Sequence, residues 1–267
     1  MIVISINPIA FTIGSLEVRW YGIFVALAIM VVALWAMREV KRGAKLSYDT
    51  VITAALVGIP SGVIFARLLH VIDGWEYYSQ HLGEIVGGGG LTIYGGVLGT
   101  ALGIWLYSRF SRRFKFEYFA DILAPGIILS QAVGRIGCTI NGCCYGIQTS
   151  LPWGVIYTHP DSFCPVGAAI HPTQVYELIY NLIVFGILFK LRGRFKPDGS
   201  LFLIYLGLYS VWRLGVGFLR PGTPFLFGLH QAQVIAIIVL LIAIPLLALR
   251  TRWVRQEDNE KIQSGSD

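Results

Sequence analysis

The chain has 267 residues, of which 55% are hydrophobic and only 13% charged, with a formal net charge of +6. That charged share is about half of what a soluble domain carries, which excludes a soluble globular fold. Lys and Arg stand in short clusters between apolar runs rather than on one patch, which excludes a nucleic-acid partner.

Seven apolar segments have the length needed to cross about 30 Å of hydrocarbon. They run over 16–37, 50–72, 90–109, 117–136, 172–190, 200–219 and 230–249. They predict an all-α integral membrane protein with seven transmembrane helices in one domain over 1–249. A loop segment at about 137–171 and a polar tail at 250–267 complete it.

Arg38, Lys41, Arg42 and Lys45 follow the first span, and Arg109, Arg112, Arg113 and Lys115 the third. Lys190, Arg192, Arg194 and Lys196 follow the fifth, and Arg250, Arg252, Arg255 and Lys261 the seventh. These are sixteen of the 21 basic residues, all on one side, and the loops 73–89, 137–171 and 221–229 have none. The positive-inside rule then puts the N-terminus outside and the C-terminus in the cytoplasm. The first span carries its basic flank after it and has no basic start, so it does not read as a cleaved signal peptide.

Arg19, Arg67, Arg135, Arg213 and Arg220 remain, all in or near the outer half of a span. Intramembrane arginine is costly and needs a partner. The nearby carboxylates are few: Glu17, Asp73 and Glu177. More arginine than carboxylate at one depth points to a missing anion, and the planar guanidinium suits phosphate. A lipid headgroup is the abundant anion there. Snorkelling accounts equally well for Arg19 and Arg220, which stand near span ends. Arg213, Gly217 and Arg220 fall at i, i+4 and i+7, one helix face, with Gly217 opening space between the guanidiniums. All five histidines, His70, His81, His159, His171 and His230, also fall on the outer side, where they supply possible bases.

The stretch "AVGRIGCTINGCCYG" at 132–146 holds Arg135, Cys138, Cys143 and Cys144 among four glycines. Its C-x4-C-C spacing is not that of paired structural zinc ligands, and C-x-x-C is absent. A disulfide to Cys164, a thiol made acidic by Arg135, and small residues lining a tight helix-to-loop turn all remain open. Further back, Gly87–Gly90 read as a flexible entry to the third span, and Gly95, Gly99 and Gly103 form a close-packing face. Tyr94, at the outer end of that span, can sit in an aromatic belt, reach a headgroup, or act as acid or base.

The stretches "RWYG" (19–22), "ARLLHV" (66–71), "YGGVLG" (94–99), "GRIGCTINGCCYG" (134–146), "HPTQVYE" (171–177) and "RLGVGFLR" (213–220) together resemble the prolipoprotein diacylglyceryl transferase family. They keep the family's order and cover nearly the whole chain. The resemblance implies a multi-pass enzyme of the bacterial cytoplasmic membrane whose site faces the outer leaflet. Its reaction moves the diacylglyceryl group of phosphatidylglycerol to the lipobox cysteine of a prolipoprotein signal peptide. A thioether forms and glycerol phosphate leaves. The family is expected to need no cofactor and no metal. Arg135, Arg213 and Tyr94 are then the catalytic candidates. Arg135, Arg220, Tyr21 and Asn141 match headgroup-binding positions, and His70, His171 and Glu177 are possible bases or supports.

The chain also departs from the family's common pattern. Tyr94 stands where a histidine is proposed as base, Cys138 in place of an asparagine, and Cys143 and Gly217 in place of glutamates. A phenol titrates near 10 and is a poor resting base. Two rival readings follow: a phospholipid-binding or divergent member of the family, and a membrane thiol oxidoreductase using Cys138, Cys143, Cys144 and Cys164.

Overall fold

The computed structural model describes residues 1–87 and 90–253. Of the segments singled out above, Gly88, Gly89 and the tail from 254 on, with Arg255 and Lys261, lie outside the described residues. In chain order the elements are β1 (Ile2–Ile4), β2 (Ile9–Ile13), β3 (Leu16–Arg19), α1 (Trp20–Lys41), α2 (Tyr48–Asp73), α3 (Trp75–Tyr78), α4 (Glu84–Gly87), α5 (Ile93–Ser111) and α6 (Phe116–Asn141). They continue as β4 (Val155–Tyr157), β5 (Ala169–Ile170), α7 (Thr173–Leu191), β6 (Phe195–Lys196), α8 (Ser200–Gly217), α9 (Gln231–Arg250) and β7 (Arg252–Trp253).

Among the described residues, six helices are long and apolar enough to cross a membrane: α1, α2, α6, α7, α8 and α9. The third expected span exists as α5, with 19 residues. Its Gly95, Gly96, Gly99, Gly103 and Arg109 make it less apolar than the other six. The all-helical expectation is corrected by short strands at helix ends. Residues 16–19 pair with 9–13 in a hairpin rather than opening the first span. Arg252–Trp253 pairs with Phe195–Lys196, so order continues past Arg250. The long loop is shorter than expected, because α6 runs on to Asn141.

The chain forms two compact units, one of Met1–Trp35 with Ala120 onward, the other of Ala36–Phe119. In the first, Ala124 and Ile128 of α6, Val184 and Leu188 of α7, and Leu201 and Tyr205 of α8 form the buried core. Asp121 ties α6 to the start of α8, accepting Gly199 N and Phe202 N at 2.7 Å each. A carboxylate there satisfies orphan amides at a helix N-terminus. A three-stranded sheet in the order β1-β4-β5 covers the end of α6, and Tyr157 of β4 donates its hydroxyl to Thr139 O at 2.7 Å.

In the second unit α2 and α5 pack backbone to backbone. A Cβ on Gly95 would lie 2.4 Å from Phe65 O, and one on Gly99 2.6 Å from Ser61 O. The glycine stripe is therefore the close-packing face that its spacing predicts. Ser47 caps α2, its Oγ accepting Thr50 N at 3.1 Å. All three nitrogens of Arg67 donate to backbone carbonyls: Nε to Ile85 O at 2.8 Å, Nη1 to Gly90 O at 3.0 Å, and Nη2 to Glu84 O. Arg67 thus holds the turn that leads into α5, which corrects its reading as an anion ligand.

Candidate active site

Within the first unit, α1, α7 and α9 begin, and α6 and α8 finish, at the same end. Lys190 and Arg250 stand in last turns at the opposite end. Two of the expected arginines, Arg135 and Arg220, meet at the first end around one acid. Glu177, wholly buried in the first turns of α7, accepts Arg135 Nη2 at 2.6 Å on one oxygen and Arg220 Nη2 at 2.8 Å on the other. Two guanidiniums on one carboxylate leave one positive charge unbalanced. Each arginine keeps a little exposure, 16% and 13% of its side chain. Arg220 Nε is buried without a hydrogen-bond partner. Arg213 in α8 is half-buried and makes no ion pair among the described residues.

One detail of the sequence reading is corrected. Arg220 is not on the helix face of Arg213 and Gly217. The helix ends at Gly217, and the chain tightens so that Arg220 N donates to Gly217 O at 3.3 Å. Nor does Gly217 open space between guanidiniums. A Cβ there would lie 2.5 Å from the side chain of Gln233, which fills the position and donates to Leu214 O at 3.1 Å.

Tyr21 and Asn141 fall in the same unit. A Cβ at Gly137 would lie 3.4 Å from Tyr21 Cα and 2.7 Å from Phe24 Cβ, so the bare backbone of α6 lets the first turns of α1 approach. Asn141, the last residue of α6, is buried, and its Oδ1 has no hydrogen-bond partner. An unpartnered buried acceptor costs roughly 1–3 kcal/mol and calls for a donor. His171 places Nδ1 3.4 Å from Tyr176 Oη. Its backbone is pressed on Gly146, where a Cβ would lie 2.6 Å from His171 Cβ and 2.8 Å from Leu219 O. Tyr94 and His70 belong to the second unit. Tyr94 is 37% exposed at the start of α5, and His70 packs on Gly90 and meets Tyr78 edge-on at 5.9 Å.

All four cysteines are free thiols. Sγ atoms of Cys138, Cys143 and Cys144 lie within 4.8 Å of one another. Arg135 Nη1 stands 3.8 Å from Cys138 Sγ. Cys144 lies outside the helices, and its thiol is held well below the usual range by hydrogen bonds with Cys138 and Cys143, then by the charge of Arg135. Cys164 stands apart, buried in the cluster of Val155, Tyr157 and Ile170, its thiol donating to Pro165 O at 3.6 Å. Burial pushes that thiol up to about 11.

Two residues that matter were missed by the sequence reading. Thr173 Oγ1 donates to Cys144 O at 2.7 Å, and Gln174 Nε2 to Cys143 O at 2.8 Å, both from buried positions. Their signal was available: Thr173, Gln174, Glu177 and Asn181 are polar residues at helical spacing in an apolar span.

The family model for prolipoprotein diacylglyceryl transferase matches residues 8–249. A phosphatidylglycerol–prolipoprotein diacylglyceryl transferase of Dehalococcoides mccartyi is 48% identical over 258 residues, covering 97% of this chain and 99% of that one. One from Clostridioides difficile is 36% identical over 87% of this chain and 90% of its own length, and one from Finegoldia magna 31% over 95% and 100%.

Proposed function

As the chain belongs to the prolipoprotein diacylglyceryl transferase family, we propose that the arginine end of α6, α7 and α8 holds phosphatidylglycerol while a prolipoprotein lipobox cysteine attacks it. The thiol sulfur displaces the phosphate from the glyceryl carbon. A thioether forms, and glycerol phosphate leaves with the electron pair. One observation carries the reading: buried Glu177 is shared by Arg135 and Arg220, so the site holds more positive charge than its own acid balances. Preorganised cations of that kind stabilise charge that grows on a departing phosphate.

Arg135 and Arg213 act on the phosphate, with Arg220 beside them. Tyr21 and the free Oδ1 of Asn141 suit the hydroxyl groups of the glycerol headgroup. His171 is the candidate acceptor for the thiol's proton in this unit, and Glu177 positions two arginines. The arginine end faces the outer leaflet of the bacterial cytoplasmic membrane, because the ends of α7 and α9 that carry Lys190 and Arg250 lie opposite and belong in the cytoplasm. That orientation puts the N-terminus outside. α5 makes the seventh crossing, its glycines laid against α2 instead of lipid.

The test is thioether formation from purified protein, phosphatidylglycerol and a lipobox peptide, read by mass spectrometry. Folded protein that yields no thioether overturns the reading. If it then retains phosphatidylglycerol, the phospholipid-binding alternative takes its place.

A further inference from the structure

We propose that Cys144 and Cys138 form a thiol–disulfide modification site: an organic disulfide arriving at the outer face oxidises the pair to one bond, and the transfer reaction slows until a thiol reduces it. The proposal rests on the transferase reading above and deepens it, since it names a chemistry that regulates the same site.

The geometry begins with the sulfurs of Cys138, Cys143 and Cys144, all within 4.8 Å of one another and all free. A disulfide bond is about 2.05 Å long, so a pair closes on an approach of under about 3 Å, within the swing of two side chains. Gly142 has φ +72° and Cys144 φ +60°, and these two left-handed residues bracket Cys143. They curl the chain over the end of α6, so the Cys144 side chain returns toward Cys138. A left-handed backbone at a non-glycine residue costs on the order of 1–2 kcal/mol and persists only where its surroundings impose it. Thr173 and Gln174 impose it, gripping the carbonyls of Cys144 and Cys143 from α7. The fold itself keeps the thiols gathered.

Exposure sets the order of reaction. A redox-sensitive cysteine combines a reachable thiolate with a second thiol close behind it. Cys144 is exposed, and Cys138 is buried. The thiolate, which is the attacking form, is favoured at Cys144 by hydrogen bonds with Cys138 and Cys143, then by the charge of Arg135. The other two cysteines are poor partners for it. Cys143 donates its thiol to Cys138 O at 3.9 Å. As the immediate neighbour of Cys144 it could close only an eight-membered ring, which bends the planar peptide bond between them. Cys164 packs among Val155, Tyr157 and Ile170 and donates to Pro165 O at 3.6 Å. Cys138 is therefore the resolving thiol.

The organic disulfide R–S–S–R is the oxidant, and the exchange balances. Cys144 sulfur attacks one of its sulfurs, the S–S bond breaks, and RS⁻ leaves with the electron pair. That thiolate takes the proton of Cys138, whose sulfur then attacks Cys144 sulfur. The second RS⁻ leaves and takes from water the proton that Cys144 had given up. Two protein thiols lose two electrons, and one disulfide becomes two thiols. Exchange with a thiol runs the steps backward, and exposed disulfides are the labile, regulatory kind. The effect reaches the arginines. Arg135 Nη1 stands 3.8 Å from Cys138 Sγ. Drawing that sulfur toward Cys144 shifts a group that holds the leaving phosphate, and misplacement by about 1 Å costs up to ~10²-fold.

The experiment uses the full chain purified in detergent and fully reduced, with glutathione disulfide as the probe. Residue-resolved mass spectrometry should show two of the four thiols lost, with Cys138 and Cys144 joined in one cross-linked peptide. Thioether formation should fall by ~10–100-fold and return with dithiothreitol. Cys164→Ser should form the same bond. Cys138→Ser should stop at a glutathionyl adduct on Cys144, and Cys144→Ser should keep Cys138 free. The parent carries the decisive readouts, so a variant that fails to fold leaves the test intact. The proposal falls if all four thiols stay free, if the bond joins another pair, or if the parent itself stops at a glutathionyl adduct. It also falls if the oxidised protein transfers at the reduced rate, a result that leaves the transferase reading intact. Conversely, protein that forms the Cys138–Cys144 bond but makes no thioether even when reduced sinks the transferase reading and leaves the modification site standing.

Discussion

Arg135 and Arg67 look alike in the sequence, each a lone arginine in an apolar segment rich in small residues, yet the two regions use them differently. In the α2–α5 unit, Arg67 spends all three nitrogens on carbonyls of residues 84–90 and lays its guanidinium 5.1 Å from the Tyr78 ring centroid. It works as a spool for a turn. In the α6–α8 unit, Arg135 gives one nitrogen to a carboxylate that it must share with Arg220, and sets another beside a thiol. An intramembrane arginine is therefore not a site by itself. What occupies its donors, and whether its charge is balanced, separates a structural tie from a ligand-binding group.

The largest effect should come from breaking that contrast at its functional end. Arg135→Ala should cut thioether formation by ~10²–10³, the scale of losing one preorganised donor to a developing oxyanion. Arg135→Lys should lose most activity too, because a point charge cannot reproduce the planar fork. Arg67→Ala should act in the opposite place, lowering stability by about 1–3 kcal/mol in denaturant titration while rate per folded molecule stays within about 3-fold. If Arg67→Ala abolished turnover in a normally stable protein, the contrast would be wrong.

Next in size is Glu177→Gln. It leaves Arg135 and Arg220 facing each other over a neutral amide. Removing one partner of a buried ion pair costs on the order of 3–5 kcal/mol, so the melting temperature should fall by several degrees. Added glycerol phosphate should restore more of that loss in the variant than it adds to the parent. Equal stabilisation of both would argue that the arginines do not share a site for phosphate.

How far these roles were legible before any coordinates differs by region, for physical reasons. The helices were legible because crossing hydrocarbon demands long apolar runs. The α2–α5 contact was legible because glycine every fourth residue has one structural use. The surplus of arginine over carboxylate was a count, and it pointed to Glu177, where two of the five arginines converge. Arg67 was misread because its partners are backbone carbonyls, which leave no trace in side-chain composition. The role of Gly217 was hidden for a similar reason: the space above it belongs to Gln233, a residue sixteen positions on in the next helix. Convergence of the three thiols depends on the sign of φ at Cys144, which neighbouring residue types do not dictate. The strands were missed because two to five residues are too few to show alternation.

A pair of glycines sharpens the comparison at smaller amplitude. At Gly95 an added Cβ would meet Phe65 O at 2.4 Å, so Gly95→Ala should push α5 off α2 and cost about 1–3 kcal/mol. At Gly134, beside Arg135, an added Cβ meets nothing within 4 Å. Gly134→Ala should therefore leave stability unchanged or raise it by up to about 1 kcal/mol, through better helix propensity. A drop in thioether yield with that stability intact would locate a ligand against the bare backbone of α6. Unchanged yield would place the lipid elsewhere around the arginines.

The smallest expected effect concerns the thiols themselves. Burial among Val155, Tyr157 and Ile170 pushes the Cys164 thiol up to about 11, so near neutral pH it is almost wholly protonated. Thiolate, not thiol, reacts with alkylating agents. Alkylation of Cys164 should be slow at pH 7 and quicken about tenfold per pH unit until it levels near pH 11. Cys144 is exposed, and its thiol lies below the usual range, so its labelling should change little between pH 7 and pH 9. Residue-resolved mass spectrometry after brief iodoacetamide pulses at several pH values distinguishes the two. A Cys164 that labels as fast as Cys144 at pH 7 would mean that β4 and β5 open readily over it, and the sheet would not be the rigid lid on the end of α6 that its hydrogen bonds imply.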